Sequence, residues 1–318
     1  MIQIFVNLKR FDIPKSLGGI CPVENPKQWI ENIMEQSVKL GIGRLKDINV
    51  TYLLPEALII SAIEKLSCYP EEQTFSISIG CQGVYRENVK PGGNFGAFTT
   101  NLPAAAAKNL GCTWTIIGHS EERKDKLGII EKYESYNREK QDFSEKAAEA
   151  VNNLINQEVL CALDMGINVL FCIGETAKER GNGTFEEQKP RIQKVIKEQL
   201  EQGLQGVEEY VPRNQIVIGY EPIWAIGPGK TPPGVEYIEF VASYVKQTVK
   251  QLYNVEPTVV YGGGLKEENA TMISGIEAIG GGLVALTRFT GDICFDVKDL
   301  KKIIEKYVEQ KQARRVIK

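Results

Sequence analysis

QIVIGYEPIWAIGPGKTPP, residues 215–233, sets the frame for reading the chain. Its first six residues are apolar nearly throughout, as in a strand buried on both faces. A carboxylate, Glu221, follows at once. After it comes a segment rich in Gly and Pro, too stiff at its ends and too permissive in its middle for an ordinary loop; it reads as a hinged lid. A carboxylate at a strand end beneath a closing apolar lid suits a general base, because loss of water raises its proton affinity. The GPGKT within this stretch does not make a nucleotide-binding loop. That motif needs a glycine five residues before Gly229, where Trp224 stands.

Outward from this stretch the pattern repeats. Runs at 2–8, 48–54, 75–81, 113–118, 168–173, 258–261 and 283–287 also read as buried strands, which makes eight. Helical segments such as NPKQWIENIMEQSVKLG, AAAAKNLG and YIEFVASYVKQTVKQLY fall between them, several ending in glycine. Eight β–α units predict a (β/α)8 barrel or a doubly wound sheet of similar size. A barrel needs ~250 residues, so this chain of 318 carries about 70 more. The excess is assigned to 11–26, to the charged segment 122–146 and to a C-terminal extension near 305–318. The charged segment reads as a solvated helical insertion, with a partner-binding arm as the alternative. No repeat, linker or low-complexity tract interrupts the chain, so residues 1–318 are expected to form one domain.

Composition narrows the class. The net charge of −3 gives no case for a nucleic-acid or anionic-membrane binder, and the locally basic end, KQARRVIK, reads as a frayed, solvated helix terminus. No apolar stretch approaches a membrane span, and the N-terminus does not read as a secretory leader. Seven cysteines without a CxxC spacing suit reduced core thiols of a cytosolic protein. The single histidine, His119, excludes a multi-histidine metal site.

Three more stretches end predicted strands, where barrel enzymes keep their chemistry. VNLK ends the first. Asn7 and Lys9, two apart, point to one face, and the lysine can pair with an anionic substrate or simply be an exposed edge residue. IIGHSEER ends the fourth. There His119, Ser120 and Glu121 open a helix whose dipole disfavours the imidazolium, leaving a neutral ring able to donate to a carbonyl oxygen. A satisfied structural histidine is the alternative. VVYGGGLKEEN ends the seventh, and its glycines let backbone N–H groups approach an anion or merely make a tight turn.

Asn-x-Lys, Gly-His-Ser-Glu, Tyr-Glu-Pro-x-Trp-Ala-Ile-Gly-x-Gly-Lys-Thr and Tyr-Gly-Gly occur in that order, each ending a successive expected strand. This arrangement resembles the triosephosphate isomerase family, and GAFTTNLPAAAAKNLGCTWTIIGHSEER and FCIGET extend the likeness over most of residues 2–305. The resemblance implies a TIM barrel and a cytoplasmic aldose–ketose isomerase of glycolysis and gluconeogenesis that uses no metal or organic cofactor. By the same resemblance, Glu221 shuttles a proton between adjacent substrate carbons, as the handling of this enzyme class by carboxylate, neutral histidine and closing loop requires. His119 polarises the carbonyl, Lys9 holds negative charge and Asn7 hydrogen-bonds beside it. Glu121 supports the lysine, with Ser120 adjacent. Gly227 donates its N–H to the substrate phosphate. Thr99 and Gln82 are expected in or near a loop entering a neighbouring subunit's site, so a homodimer is implied.

The family pattern breaks at ALTRFTG, residues 285–291. Where the family has Gly-Gly after strand 8, this chain has Ala285 and Leu286, and Gly264 stands where a serine follows Tyr-Gly-Gly. Glu221 to Gly262 spans 41 residues and Tyr261 to Ala285 spans 24, so the register leaves no room for a slip. Gly263, Gly264, Ala285, Leu286 and Arg288 are therefore the expected anion-binding positions. A lost charge-assisted hydrogen bond there would cost roughly 1.5–3 kcal/mol. Arg288 either grips a relocated phosphate or pairs with a surface acid. Three functions remain open: interconversion of dihydroxyacetone phosphate and glyceraldehyde 3-phosphate, the same chemistry on a longer phosphorylated sugar such as a tetrulose phosphate, or a non-catalytic metabolite- or partner-binding barrel. A Schiff-base aldolase through Lys9 is more distant.

Overall fold

The computed structural model describes residues 1–134, 143–227 and 229–317. Part of the charged segment (135–142), Pro228 of the lid and the side chains of the basic end 312–318 lie outside the described residues. Eight parallel strands close into a barrel in sequence order: β1 Ile2–Asn7, β2 Ile48–Leu54, β3 Ile77–Cys81, β4 Trp114–Ile117, β5 Asn168–Ile173, β6 Ile216–Tyr220, β7 Thr258–Tyr261 and β8 Ile279–Val284. The (β/α)8 barrel is therefore realised, and the doubly wound alternative is not.

The continuous apolar character of the strands follows from this closure. Along each strand alternate residues enter two different cores. Phe5, Leu53, Trp114, Ile116, Leu170, Cys172, Val217, Val260 and Leu283 form a small interior cluster. Phe5 and Trp114 meet edge to face there, with centroids 5.0 Å apart. Their neighbours, among them Ile4, Tyr52, Phe171, Ile218 and Val259, join the larger layer that packs under the helices. No strand face meets water, so no polar alternation marks the sequence.

The surrounding helices are α1 Pro26–Lys39, α2 Glu56–Ser67, α3 Ala104–Asn109, α4 Ser120–Glu134, α5 Phe143–Asp164, α6 Ala177–Arg180, α7 Phe185–Gly203, α8 Val235–Tyr253, α9 Ala270–Ser274 and α10 Val297–Ile317. Local chemistry starts several of them. Asn25 caps α1 by accepting from Lys27 and Gln28 N–H, with Pro26 at the first position. Thr176 with Glu179 and Thr184 with Glu187 form capping boxes at α6 and α7. The 11–26 stretch folds as turns around a short 3-10 segment, Lys15–Leu17, held by a bridge between Pro14 and Cys21. Residues 122–134 prolong α4 and 143–146 open α5, and the C-terminal extension continues α10.

The eighth strand differs from expectation. It runs Ile279–Val284 rather than 283–287, so Gly280–Gly282 lie within it, and the strand pairs with β1 from Gln3 opposite Gly281 to Val6 opposite Val284. Closure demands a glycine at one of these positions. A Cβ on Gly281 would sit 1.8 Å from the carbonyl oxygen of Gln3. A side chain there would push apart the last seam of the barrel.

Gly281→Ala is accordingly expected to destabilise the protein by about 3 kcal/mol or to prevent folding. Gly128→Ala, inside α4 with open space around the added methyl, is expected to stabilise by up to ~1 kcal/mol. Urea denaturation of both variants checks this; equal midpoints would contradict the seam argument.

Candidate active site

Strand C-termini gather the expected residues at one rim. Asn7 ends β1, Glu221 follows β6, and His119 stands two residues beyond β4, just before α4. The open N–H groups of the first turn of α4 organise the pair. Ser120 N–H donates to Glu221 Oε2 at 3.0 Å, and Ser120 Oγ donates to Oε1 at 3.2 Å. A carboxylate at a helix N-terminus satisfies donors that have no intrahelical partner and meets the positive end of the dipole. Glu221 is almost fully buried, and His119 Nε2 lies 3.3 Å from its Oε1. The backbone N–H of Glu121 donates to His119 Nδ1 at 3.3 Å. With Nδ1 accepting, the proton of a neutral ring is placed on Nε2, facing the carboxylate.

The first strand supplies the cation. Lys9 adopts φ 42°, uncommon for a residue with a side chain, and its N–H is held by Asn7 Oδ1 at 3.0 Å. Its ammonium donates to Glu121 Oε1 at 2.5 Å. Partial burial works to raise the Glu121 carboxyl, but the Lys9 ammonium outweighs it and holds the carboxyl below its ordinary value. Asn7 is buried, and Gln82 bridges it to the neighbouring strands, its Nε2 lying within 3.2 Å of Asn7 Oδ1, Lys9 O and Leu53 O. Gln82 thus braces Asn7 and Lys9 within its own barrel. Thr99 is exposed in the long loop after β3.

Two clusters lie behind this rim, and sequence reading assigned them no role. Glu175, fully buried in FCIGET, accepts from Tyr220 OH at 3.1 Å, Trp224 Nε1 at 2.7 Å and Tyr237 OH at 2.7 Å. It anchors the start of the lid through Trp224, on whose ring Arg180 also stacks, 3.8 Å from the centroid. Burial raises the Glu175 carboxyl above its ordinary value despite these donors. The second cluster is Glu122, Lys126 and Glu158. Lys126 Nζ lies 2.5 Å from Glu122 and 2.9 Å from Glu158. One ammonium does not neutralise two buried carboxylates. Glu122, which also accepts the Gly118 N–H at 2.7 Å, keeps the charge. Burial and the adjacent Glu122 push the Glu158 carboxyl up to about 9. A search of the sequence for acids at α4 spacing finds Glu122 and Lys126, four apart; it does not find Glu158, which arrives from another helix.

The comparisons agree with this geometry. A triosephosphate isomerase family model matches residues 34–307. The chain belongs to the triosephosphate isomerase family. It is 31% identical over 272 residues to a triosephosphate isomerase of Pelodictyon phaeoclathratiforme, covering 83% of this chain and 91% of that one. It is 30% identical over 261 residues to one from Finegoldia magna, covering 80% and 89%. The crystal structure of triosephosphate isomerase from Bartonella henselae superposes with a TM-score of 0.63 over 96% of this chain and 99% of that one; at 21% identity this likeness concerns the fold. Family membership places the chain among aldose–ketose isomerases.

Ala285 and Leu286, both half-buried, follow β8 without positive φ, so neither position requires glycine here. Gly264 keeps φ 89° after Gly263. Gly227 is exposed in the lid, with φ 120°. Arg288 is placed differently from an anion ligand. Its Nε donates to Asp299 Oδ2 at 2.6 Å and its Nη2 to Asp296 Oδ2 at 3.1 Å. The guanidinium is committed to the N-terminal region of α10, where the two acids offer it a fork that no phosphate needs to supply. Residues 287–294 form a small excursion closed by Thr287 and Arg288 N–H on Cys294 O. Lys15 of the 11–26 stretch reaches it through Asp292 at 2.6 Å, and Lys266 lies over the Phe289 ring, 3.6 Å from its centroid.

The buried acids give this site a pH signature. Folded Glu158 keeps its proton to about pH 9, whereas an unfolded carboxyl releases it near 4.5. Between those values the folded state binds more protons, so this group makes stability fall as pH rises, by at most ~1.4 kcal/mol per unit. Glu158→Gln removes that slope. Urea midpoints at pH 5.5, 7 and 8.5 are expected to show the variant gaining on the parent as pH rises; parallel curves would refute the assignment.

Proposed function

We propose that the protein interconverts dihydroxyacetone phosphate and glyceraldehyde 3-phosphate through an enediolate. The observation that carries this reading is the convergence of Glu221, the Nε2 face of His119 and the Lys9 ammonium at one rim of the barrel. The carboxylate takes a proton from the carbon beside the carbonyl. The electrons of that C–H bond move into the carbonyl, whose oxygen gains negative charge beside Lys9 and the Nε2–H of His119. Imidazole-assisted transfer between the two oxygens, followed by return of the carbon-bound proton from Glu221 to the adjacent carbon, completes the isomerisation. In the present geometry both Glu221 oxygens accept from Ser120, so the base must turn from Ser120 to the substrate. The lid, begun at Trp224 and held through Glu175, is positioned to exclude water over it.

The other expectations join this reading. A phosphorylated triose is the proposed substrate, and the protein acts in the cytoplasm, in glycolysis and gluconeogenesis. A homodimer is proposed, with the exposed loop carrying Thr99 offered to a second copy. A second reading, the same chemistry on a longer phosphorylated sugar, is favoured by one specific observation. Ala285 and Leu286 stand at the family's glycine pair, the excursion 287–294 follows them, and Arg288 is already occupied by acids.

A coupled assay of kcat/KM for glyceraldehyde 3-phosphate against four-carbon ketose phosphates decides between the readings. The triose is expected to win; a clear preference for the four-carbon sugar overturns the first reading in favour of the second. Glu221→Asp, which withdraws the base by one methylene, is expected to lower kcat by about a hundredfold or more. Absence of any isomerisation in the parent protein that this change reduces would leave the non-catalytic barrel.

A further inference from the structure

We propose that Glu122 is a positioning residue for His119, acting by holding the peptide that precedes the imidazole. The inference rests on the isomerase reading for its kinetic arm only. Gly118 is the hinge between β4 and α4. Its φ of 78° sets the direction in which His119 leaves the strand, and a Cβ there would meet the carbonyl oxygen of Cys172 at 2.7 Å. Side chains from the first turn of α4 grip both polar ends of this residue. Glu122 Oε2 accepts the Gly118 N–H at 2.7 Å, and Arg123 Nε donates to the Gly118 carbonyl at 2.8 Å. The chain therefore folds back on itself around the one glycine next to the one histidine of the protein.

The grip is tied to the scaffold through separate routes. Arg123 also donates to Cys172 O on β5 at 3.1 Å and to Asn152 Oδ1 on α5 at 2.7 Å. Glu122 is tied through Lys126 to Glu158 on α5. Glu158 Oε2 is buried without a hydrogen-bond partner, as suits a carboxyl that burial and the neighbouring Glu122 push toward its neutral form. A carboxylate held from behind by an ammonium and a neutral carboxyl has little freedom to swing away from the Gly118 N–H. An acid that merely favoured the helix dipole would need none of these partners and would work as well exposed.

The consequence falls on His119. Its Nδ1 accepts the Glu121 N–H at 3.3 Å, a long contact that a small rotation of the preceding peptide breaks. Loss of that contact frees Nδ1 to take the proton and turns an acceptor toward Glu221 in place of the Nε2–H. Glu122 touches neither substrate nor imidazole in this scheme and acts through the backbone.

Because His119 is the only histidine, its imidazole nitrogens are observable without assignment in protein labelled with 15N-histidine. The parent protein is expected to show the Nε2–H tautomer. Glu122→Gln, which retains an oxygen acceptor for Gly118, is expected to keep that tautomer and to hold kcat within about twofold. Glu122→Ala is expected to mix the tautomers and lower kcat about tenfold, with KM within about twofold. Should the alanine variant not fold, Glu122→Asp retracts the acceptor by one methylene at constant charge and is expected to show the same two changes. An alanine or aspartate variant with parental imidazole signals and parental kcat overturns the proposal, as does a glutamine variant as impaired as the alanine one. A parent protein without isomerase activity refutes the proposed function, and the imidazole signals then decide the positioning role by themselves.

Discussion

Closure of β8 onto β1 is the constraint on which the molecule depends. Eight parallel strands leave no free edge only if the last pairs with the first, and here that seam runs through Gly281 against the Gln3 backbone. Closure puts every strand C-terminus on one rim. Asn7, His119 and Glu221, far apart in sequence, become neighbours because each lies at or just beyond a strand end. The tight interior cluster around Phe5 and Trp114 then makes the rim a floor rather than a channel mouth. Groups on the rim are carried by strands packed from both sides, which fixes their separations.

On that rim the electrostatics is arranged in pairs. Glu221 is buried, which would be costly for a carboxyl group left without partners. It is matched by N–H and O–H donors of Ser120 at the positive end of α4. Lys9 is matched by Glu121 on the solvent side, a pairing of little value to stability, since both groups are partly exposed. Its value lies in aim: the ammonium is kept at the mouth while Asn7 and Gln82 hold its backbone in an unusual conformation. His119 likewise has its Nδ1 met by the backbone N–H of Glu121, which leaves Nε2 facing Glu221.

How much of this was legible in the sequence depends on the range of the interaction. Seven strands were legible because burial on both faces writes a continuous apolar run. The eighth was displaced because Gly280, Gly281 and Gly282 obey steric demands from Thr258, Gln3 and Leu265, which no local pattern records. Lys9, His119 and Glu221 were legible through strand-end placement and through family motifs carrying strongly restricted residues. Glu175 and the Glu122–Lys126–Glu158 cluster were not, since each takes its meaning from partners on other elements: Tyr237 on α8, or Glu158 on α5. Arg288 shows the same limit in reverse. Its position beside the expected phosphate site suggested an anion ligand, and Asp296 and Asp299, eight and eleven residues on, claim it first.

The departure after β8 is best understood as a change of side chains on an intact backbone path. Had Ala285 or Leu286 required positive φ, substitution of the glycines would have distorted the strand end and, through the seam, β1 with Asn7 and Lys9. Neither does, and the register of β8 against β1 is regular up to Val284. The disturbance is instead taken up farther along, where 287–294 loops out and is pinned to α10 by Arg288, to the 11–26 stretch by Lys15 and to the turn after β7 by Lys266 over Phe289. The exposed Lys15–Asp292 pair adds little energy by itself, but three attachments to three elements define one conformation for the excursion. The rim residues at the ends of β1, β4 and β6 are thereby kept apart from the altered end.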